Sequence, residues 1–303
     1  MEQKAVCPAP LHKAATRPTV YRQIQPTKEM KKIYTILTLG LAMLTSCEKE
    51  IDIDYHTVEP LYVVEANISD NGAVAKITQT LDVPDTLWNK NVENAEVTIT
   101  GEDGSLFTLN HDSAGIYSAP EAFGVPGKKY TLRVKIGDYV TESTSEMQEP
   151  FNVSDYYIYK IVMMSDDVYC VRVDVKDDGT TPSYYYTLIT RKGKPYKWLI
   201  TDNRGQYGTT EIDLGCFIDS DMENDKDDIL QDGEELDVEV RKVDQKTYDY
   251  YWSLAIGMDN HANPLRQFSN NTLGYFSACS IKKLPALTYK KEEVKYLKDY
   301  KSN

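Results

Sequence analysis

The chain has 303 residues, with 34 Lys and Arg set against 47 Asp and Glu, for a formal charge of −13 at pH 7. That surplus of acid excludes nucleic acid, whose phosphates need clustered Lys and Arg, and excludes peripheral adsorption to anionic lipid. The length accommodates two domains of ordinary size or one large β domain.

In chain order, residues 1–29 mix Pro, Thr, Gln and scattered basic residues without an apolar period. They read as an upstream over-read or a disordered extension outside the fold. The stretch from Met30 to Glu50 sets the framework for the rest of the chain. Lys31 and Lys32 form a basic n-region and Ile33 to Met43 a mostly apolar h-region. This run is shorter than the roughly 20 residues a spanning helix needs. A plain secretory signal would close on an Ala-x-Ala-like site, whereas Leu44-Thr45-Ser46-Cys47 resembles the bacterial lipobox. That resemblance implies that residues 30–46 are a signal peptide, that the chain is cut before Cys47, and that Cys47 carries the lipid. Several acyl chains, palmitate among them, hold firmly where one alone, at about 0.8 kcal/mol per buried CH₂, binds only marginally. A secreted protein with an incidental cysteine and an inner-membrane anchor helix are the alternatives. Without residues 1–46, which hold seven Lys/Arg and two Asp/Glu, the mature chain would carry −18.

Residues 47–58 read as an acidic tether. Glu48, Lys49, Glu50 and Asp52 stand directly behind the cysteine, a pattern that resembles the surface-export signal of Bacteroidota lipoproteins; a solvated charge run is the alternative. From Glu59 the pattern turns to β. Leu61 to Ala66 is a run rich in β-branched and aromatic residues, followed by the turn Asp70-Asn71-Gly72. Val97 and Ile99 alternate with polar neighbours, and Gly101 to Gly104 turns the chain into Leu106 to Leu109. Leu132, Val134 and Ile136 alternate in the same way ahead of Gly137-Asp138, a two-residue hairpin loop. Short strands between regular turns predict an antiparallel β-sandwich over residues 59–150. An immunoglobulin-like topology is compatible with it, though no Cys…Trp…Cys signature is present.

Residues 151–290 keep the strand pattern and add helix, predicting a sheet-dominated α+β domain rich in tyrosine. Val171, Val173 and Val175 alternate with polar residues, Tyr184 to Ile189 and Tyr196 to Ile200 are further strands, and Leu236, Val238 and Val240 another. Tyr248, Tyr251, Trp252, Ala255 and Ile256 then fall on one helical face, with Asp244 as N-cap and Gly257 as the residue that ends it. Leu273 to Cys279 reads as the last core strand. Thr288 to Tyr300 reads as a charged terminal helix, and residues 291–303 as a tail. The fold class is mainly β.

Five cysteines are present. Cys7 lies in the excluded segment and Cys47 is assigned to lipid, so Cys170, Cys216 and Cys279 allow at most one disulfide; burial as three small hydrophobes is the other reading. No Cys/His spacing suggests zinc. The most acidic segment places Asp219, Asp221, Glu223 and Asp225 at alternate positions, as calcium would want. The twelfth position, however, is Leu230 rather than the bidentate Glu of an EF-hand. Of the 23 tyrosines, 16 lie from Tyr156 onward. The run Tyr184-Tyr185-Tyr186 with Trp198 is the candidate surface for a small molecule, a glycan or a protein, because successive residues of a strand point to opposite faces. The alternative is a tyrosine-rich core. Catalysis finds no support: His56, His111 and His261 fit no metalloprotease motif, and there is no nucleophile elbow or phosphate-cradling loop.

Several segments in order, Cys47 to Ile53, Leu61 to Ala66, Tyr248-Asp249-Tyr250-Tyr251, Asn263-Pro264, Phe268-Ser269-Asn270 and Gly274-Tyr275-Phe276, resemble one family. It comprises Bacteroidota outer-membrane lipoproteins of unknown function, commonly encoded beside TonB-dependent receptors. The resemblance implies a lipid-anchored, surface-exposed accessory to such a receptor and supplies no catalytic residue. Asp85-Thr86-Leu87 and Asp112-Ser113-Ala114 also resemble the O-glycosylation sequon of that phylum, at Thr86 and Ser113. The expected function is ligand capture or partnership with the receptor; a structural or adhesion sandwich is the alternative.

Overall fold

The computed structural model describes residues 28, 59–81, 90–163, 166–177, 181–203, 205, 208–218, 230–260 and 264–300. The chain divides into Met1–Tyr55 and His56–Asn303. Lys28 is the one described residue of the first part, helical and exposed; every element named below belongs to the second part.

Alternation at period two builds the first half. β1 (Tyr62–Ser69) buries Val64, Ala66 and Ile68, and its hairpin partner β2 (Gly72–Gln79) buries Ala73, Ala75 and Ile77. β3 (Lys90–Asn91) adds briefly to β2. β4 (Glu96–Gly101), β5 (Leu106–Ser113), β6 (Ile116–Ala119), β7 (Lys129–Ile136) and β8 (Tyr139–Glu146) continue the sheet in the order β1-β2-β6-β5-β4-β7-β8. β5 pairs with β6 on one side and β4 on the other. Val97, Ile99, Leu132 and Val134 of the far arm share one core with Ala66, Ile68, Ala75 and Ile77 of the near arm, so the sheet folds over at β5 into a sandwich. Gly137, at φ 58°, makes the two-residue turn that lets Ile136 pair with Tyr139.

The second half stacks two sheets and a helix. β9 (Asn152–Met163), β10 (Asp166–Asp177) and β13 (Gly208–Ile218) form a three-stranded antiparallel sheet. It faces β11 (Tyr184–Arg191), β12 (Lys194–Asp202) and β14 (Glu235–Val243) across a core of Val171, Val173, Tyr185, Ile189, Leu236 and Val238. Helix α1 (Gln245–Asn260) covers the opposite face of β11, β12 and β14. The protein is mainly β: a sandwich followed by a sheet-dominated α+β stack.

β15 (Leu273–Thr288) joins the two halves. Val63 to Ile68 of β1 pair with Leu273 to Ala278 in parallel, while Ser280 to Thr288 pair with β14 antiparallel. The first sandwich is therefore not purely antiparallel, and its sheet draws a strand from beyond residue 150. A local reading of turns cannot see a pairing between segments some two hundred residues apart. Gly274, at φ 100°, lets the two backbones close, since a Cβ there would collide with the Val64 carbonyl.

Two helix expectations are revised. α1 runs past Gly257 to Asn260, and its buried face is Thr247, Tyr250, Tyr251 and Gly257, whereas Trp252 and Ile256 are exposed. Both arrangements keep helical spacing; the neighbouring sheet decides which apolar stripe is covered. The terminal helix shrinks to one turn, α2 (Leu297–Tyr300), because Tyr300 stacks on Tyr157 of β9 at 4.2 Å and Lys160 N–H donates to the Lys295 carbonyl.

Candidate functional site

The tyrosine run does not form an open binding surface. Tyr185 is fully buried toward the core shared with the three-stranded sheet, edge-on to Phe151. Tyr186 and Trp198 lie on the other face, under α1, with ring centroids 6.0 Å apart and each in contact with Tyr251. Burial pushes the Tyr186 phenol up to about 12. Tyr185 and Tyr186 thus follow the alternative of a tyrosine-rich core, and only Tyr184 stays half-buried, because this sheet is covered on both faces, by a second sheet and by a helix.

The open surface lies at the edge of that core. Tyr184, half-buried at the start of β11, meets Tyr248 of α1 at 4.7 Å. Tyr248 in turn stacks on Trp252 one helical turn later, 6.0 Å away and within 11° of parallel. Trp252 is 50 % exposed, and Ile256 and Leu265 beside it are 46 % and 57 % exposed. Leu265 is tied to the helix by its N–H, which donates to Ser253 Oγ at 2.8 Å. Carboxylates fringe the rings. Tyr248 Oη donates to Asp202 Oδ2 at 3.4 Å, and Asp249 projects one residue on from Tyr248. Burial, then the nearby Asp249 and Asp202 charges, raise the Tyr184 phenol; burial and Asp202 raise that of Tyr248. Burial and then Asp244 raise the Asp249 carboxyl. The face is thus aromatic, apolar and negative. The predicted residues Tyr184, Tyr185, Tyr186 and Trp198 contribute only Tyr184 to it. By helical spacing alone Trp252 and Tyr248 read as core, and the unequal exposure of the helix stripes is a tertiary property.

The helix is set in place by the predicted N-cap. Asp244 Oδ1 accepts from the Thr247 N–H at 2.9 Å, three residues on, while its Oδ2 accepts from Ser145 Oγ of β8 at 2.7 Å. Ser145 Oγ also accepts from the Ala278 N–H of β15 at 2.8 Å, so one buried hydroxyl links the sandwich, the joining strand and the helix. Two grooves flank this junction. One of about 390 Å³ lies between β8 and the start of α1, lined by Lys129, Thr144, Glu146, Asp244 and Lys246. The other, about 340 Å³, lies between Asn67, Asn71 and Val74 on one side and Glu239, Arg241 and Lys283 on the other.

Cys47, Glu48, Lys49, Glu50, Asp52, Thr86, Asp219, Asp221, Glu223 and Asp225 lie outside the described residues, as do His56 and His261. Among the described residues no group of three or more His, Cys, Asp or Glu is placed to hold a metal ion, and no helix is long and apolar enough to cross a membrane. Ser113 is exposed at the end of β5, beside the left-handed Ala114 and Gly115. Cys170 and Cys279 are buried thiols not joined in a disulfide, and burial raises Cys279 to about 11.

No curated protein matches the chain in sequence. Among solved structures, the chicken CNTN1 FN1–FN3 domains overlap 59 % of this chain and 59 % of their own at 12 % identity, with a TM-score of 0.21, too loose a superposition to argue from. A family model matches residues 48–284, spanning both halves and the strand that joins them. The chain belongs to the family described as Domain of unknown function (DUF4249).

Proposed function

We propose that this protein is a lipid-anchored, surface-exposed lipoprotein of the outer membrane that partners a TonB-dependent nutrient receptor, or captures a ligand for it, without catalysing a reaction. The observation that carries the reading is the open aromatic face of Trp252, Ile256 and Leu265, at the edge of a cluster whose Tyr186, Tyr250, Tyr251 and Tyr275 are buried. Exposed clusters of this kind mark recognition surfaces rather than stability. The lipobox at Cys47 supplies the anchor. Fifteen residues separate Cys47 from Tyr62, a reach of at most about 50 Å.

The adhesion alternative needs a sheet edge open to a neighbour's strand. One end of the long sheet, at β8, is closed to such pairing. Thr141 Oγ1 and Ser143 Oγ donate to the carbonyls of Ser269 and Gln267 at 2.7 and 2.9 Å, and the Ser269 N–H donates to the Glu142 carbonyl at 2.9 Å.

The test is gentle detergent solubilisation of outer membranes carrying the acylated full-length protein, affinity capture, and identification of the proteins that accompany it. A TonB-dependent barrel in near-equal amount is the expected result. Copies of the protein alone would favour adhesion, and recovery in the soluble periplasm without lipid would remove the anchor.

A further inference from the structure

Resting on the accessory reading above, the chemistry of the aromatic face specifies what kind of partner it takes. We propose that Trp252, Tyr248 and Tyr184, with Asp249 beside them, dock a partner protein through its arginine side chains, a guanidinium lying flat on the Trp252 indole while its N–H groups reach Asp249. Two observations argue for that occupant. Ile256 and Leu265 extend the apolar surface along the helix, which suits a protein side that places aliphatic groups around a cation. Charge then selects the sign: the carboxylates of Asp202 and Asp249 fringe the rings, and the rings offer their negative faces. A planar guanidinium satisfies stacking and bidentate hydrogen bonding together, as an ammonium cannot. A second copy of this chain is disfavoured, since it would bring its own surplus of acid to the contact.

The probe is acetyl-Gly-Arg-Gly-Arg-Gly-amide, with counterparts in which Arg is replaced by Lys or by neutral, isosteric citrulline. Binding is read from the Trp252 indole N–H in ¹H–¹⁵N spectra of the full-length protein, the resonance being assigned with Trp252→Ala. The arginine peptide is expected to shift that resonance, the lysine peptide less and the citrulline peptide not at all. Asp249→Asn is expected to weaken the arginine peptide about two- to fivefold, the scale of an exposed ion pair. Equal shifts from arginine and citrulline peptides, or none up to about 10 mM, past the weak limit of a single-contact site, would overturn the proposal. Trp252 and Asp249 are not core residues, so their variants keep the fold, which the rest of the spectrum verifies. A receptor that co-purifies equally well with Trp252→Ala would also overturn this docking face while leaving the accessory function standing. Arginine-selective binding with no co-purifying receptor would uphold the face and remove the TonB assignment instead.

Discussion

The buried ions are spent on structure. Arg191 Nη2 donates to Glu234 Oε2 at 2.9 Å and Nε to Oε1, with the two side chains 6 % and 7 % exposed. Hydrogen bonding from Arg191 holds the Glu234 carboxyl below its ordinary 4.5. A carboxylate depressed in the folded state stabilises above its unfolded value and loses that contribution as pH falls through the lower folded value. Acid titration of the unfolding free energy should show this loss beginning near pH 4.5. Glu234→Gln, which removes the carboxylate that neutralises buried Arg191, should cost about 3 kcal/mol at neutral pH and flatten that limb. An unchanged limb would assign acid sensitivity elsewhere. Ser145 is the other informative residue. Its hydroxyl accepts from β15 and donates to the helix cap, so Ser145→Ala should lower stability in urea by about 1–3 kcal/mol. Neither partnership could be read from sequence, where Ser145 and Glu234 look like any polar residue of a strand or turn.

At the scale of elements, the strands with clean alternation were legible. Val97 and Ile99 in β4, Leu132 and Val134 in β7, and Leu236, Val238 and Val240 in β14 all point inward as their period requires. Strands of poor contrast, such as β13 with Thr, Glu, Asp and Gly, were not. The helix was visible, with its cap, but its orientation was not. Denaturant unfolding should separate its two faces: Tyr251→Ala should cost about 3–5 kcal/mol as a core truncation, and Trp252→Ala under about 1 kcal/mol as a surface change. Comparable costs would mean that the stripe under α1 has been misidentified. Gly274 carries the parallel β1–β15 contact. Gly274→Ala meets both the left-handed backbone and the Val64 carbonyl, and should destabilise by about 3 kcal/mol or more, visible as a large fall in melting temperature.

At the scale of the molecule, β15 makes the halves interdependent. Its Phe276 and Ala278 complete the core of the first sandwich while Leu284 and Leu287 pack in the second. A fragment of residues 59–150 lacks that strand, so it exposes the β1 edge and loses part of its core. It should fail to show a cooperative thermal transition by circular dichroism, and the full chain should unfold in one step when probed by near- and far-ultraviolet signals together. A sharply melting fragment would establish the first sandwich as autonomous and reduce β15 to a connector.

Sequence alone determined the acid surplus, the strand-rich class and the N-capped helix, because each depends on composition or on neighbours a few residues apart. Tertiary structure decided the rest. Tyr185 and Tyr186 became core because the sheet is covered on both faces, and Trp252 became surface because the helix turned a different stripe inward. The two halves became one body because residues 273–278 pair with residues 63–68, and no local pattern encodes such a contact. Exposure is a property of neighbours brought from elsewhere in the chain, which is why the open face, and with it the candidate site, emerged only from the fold.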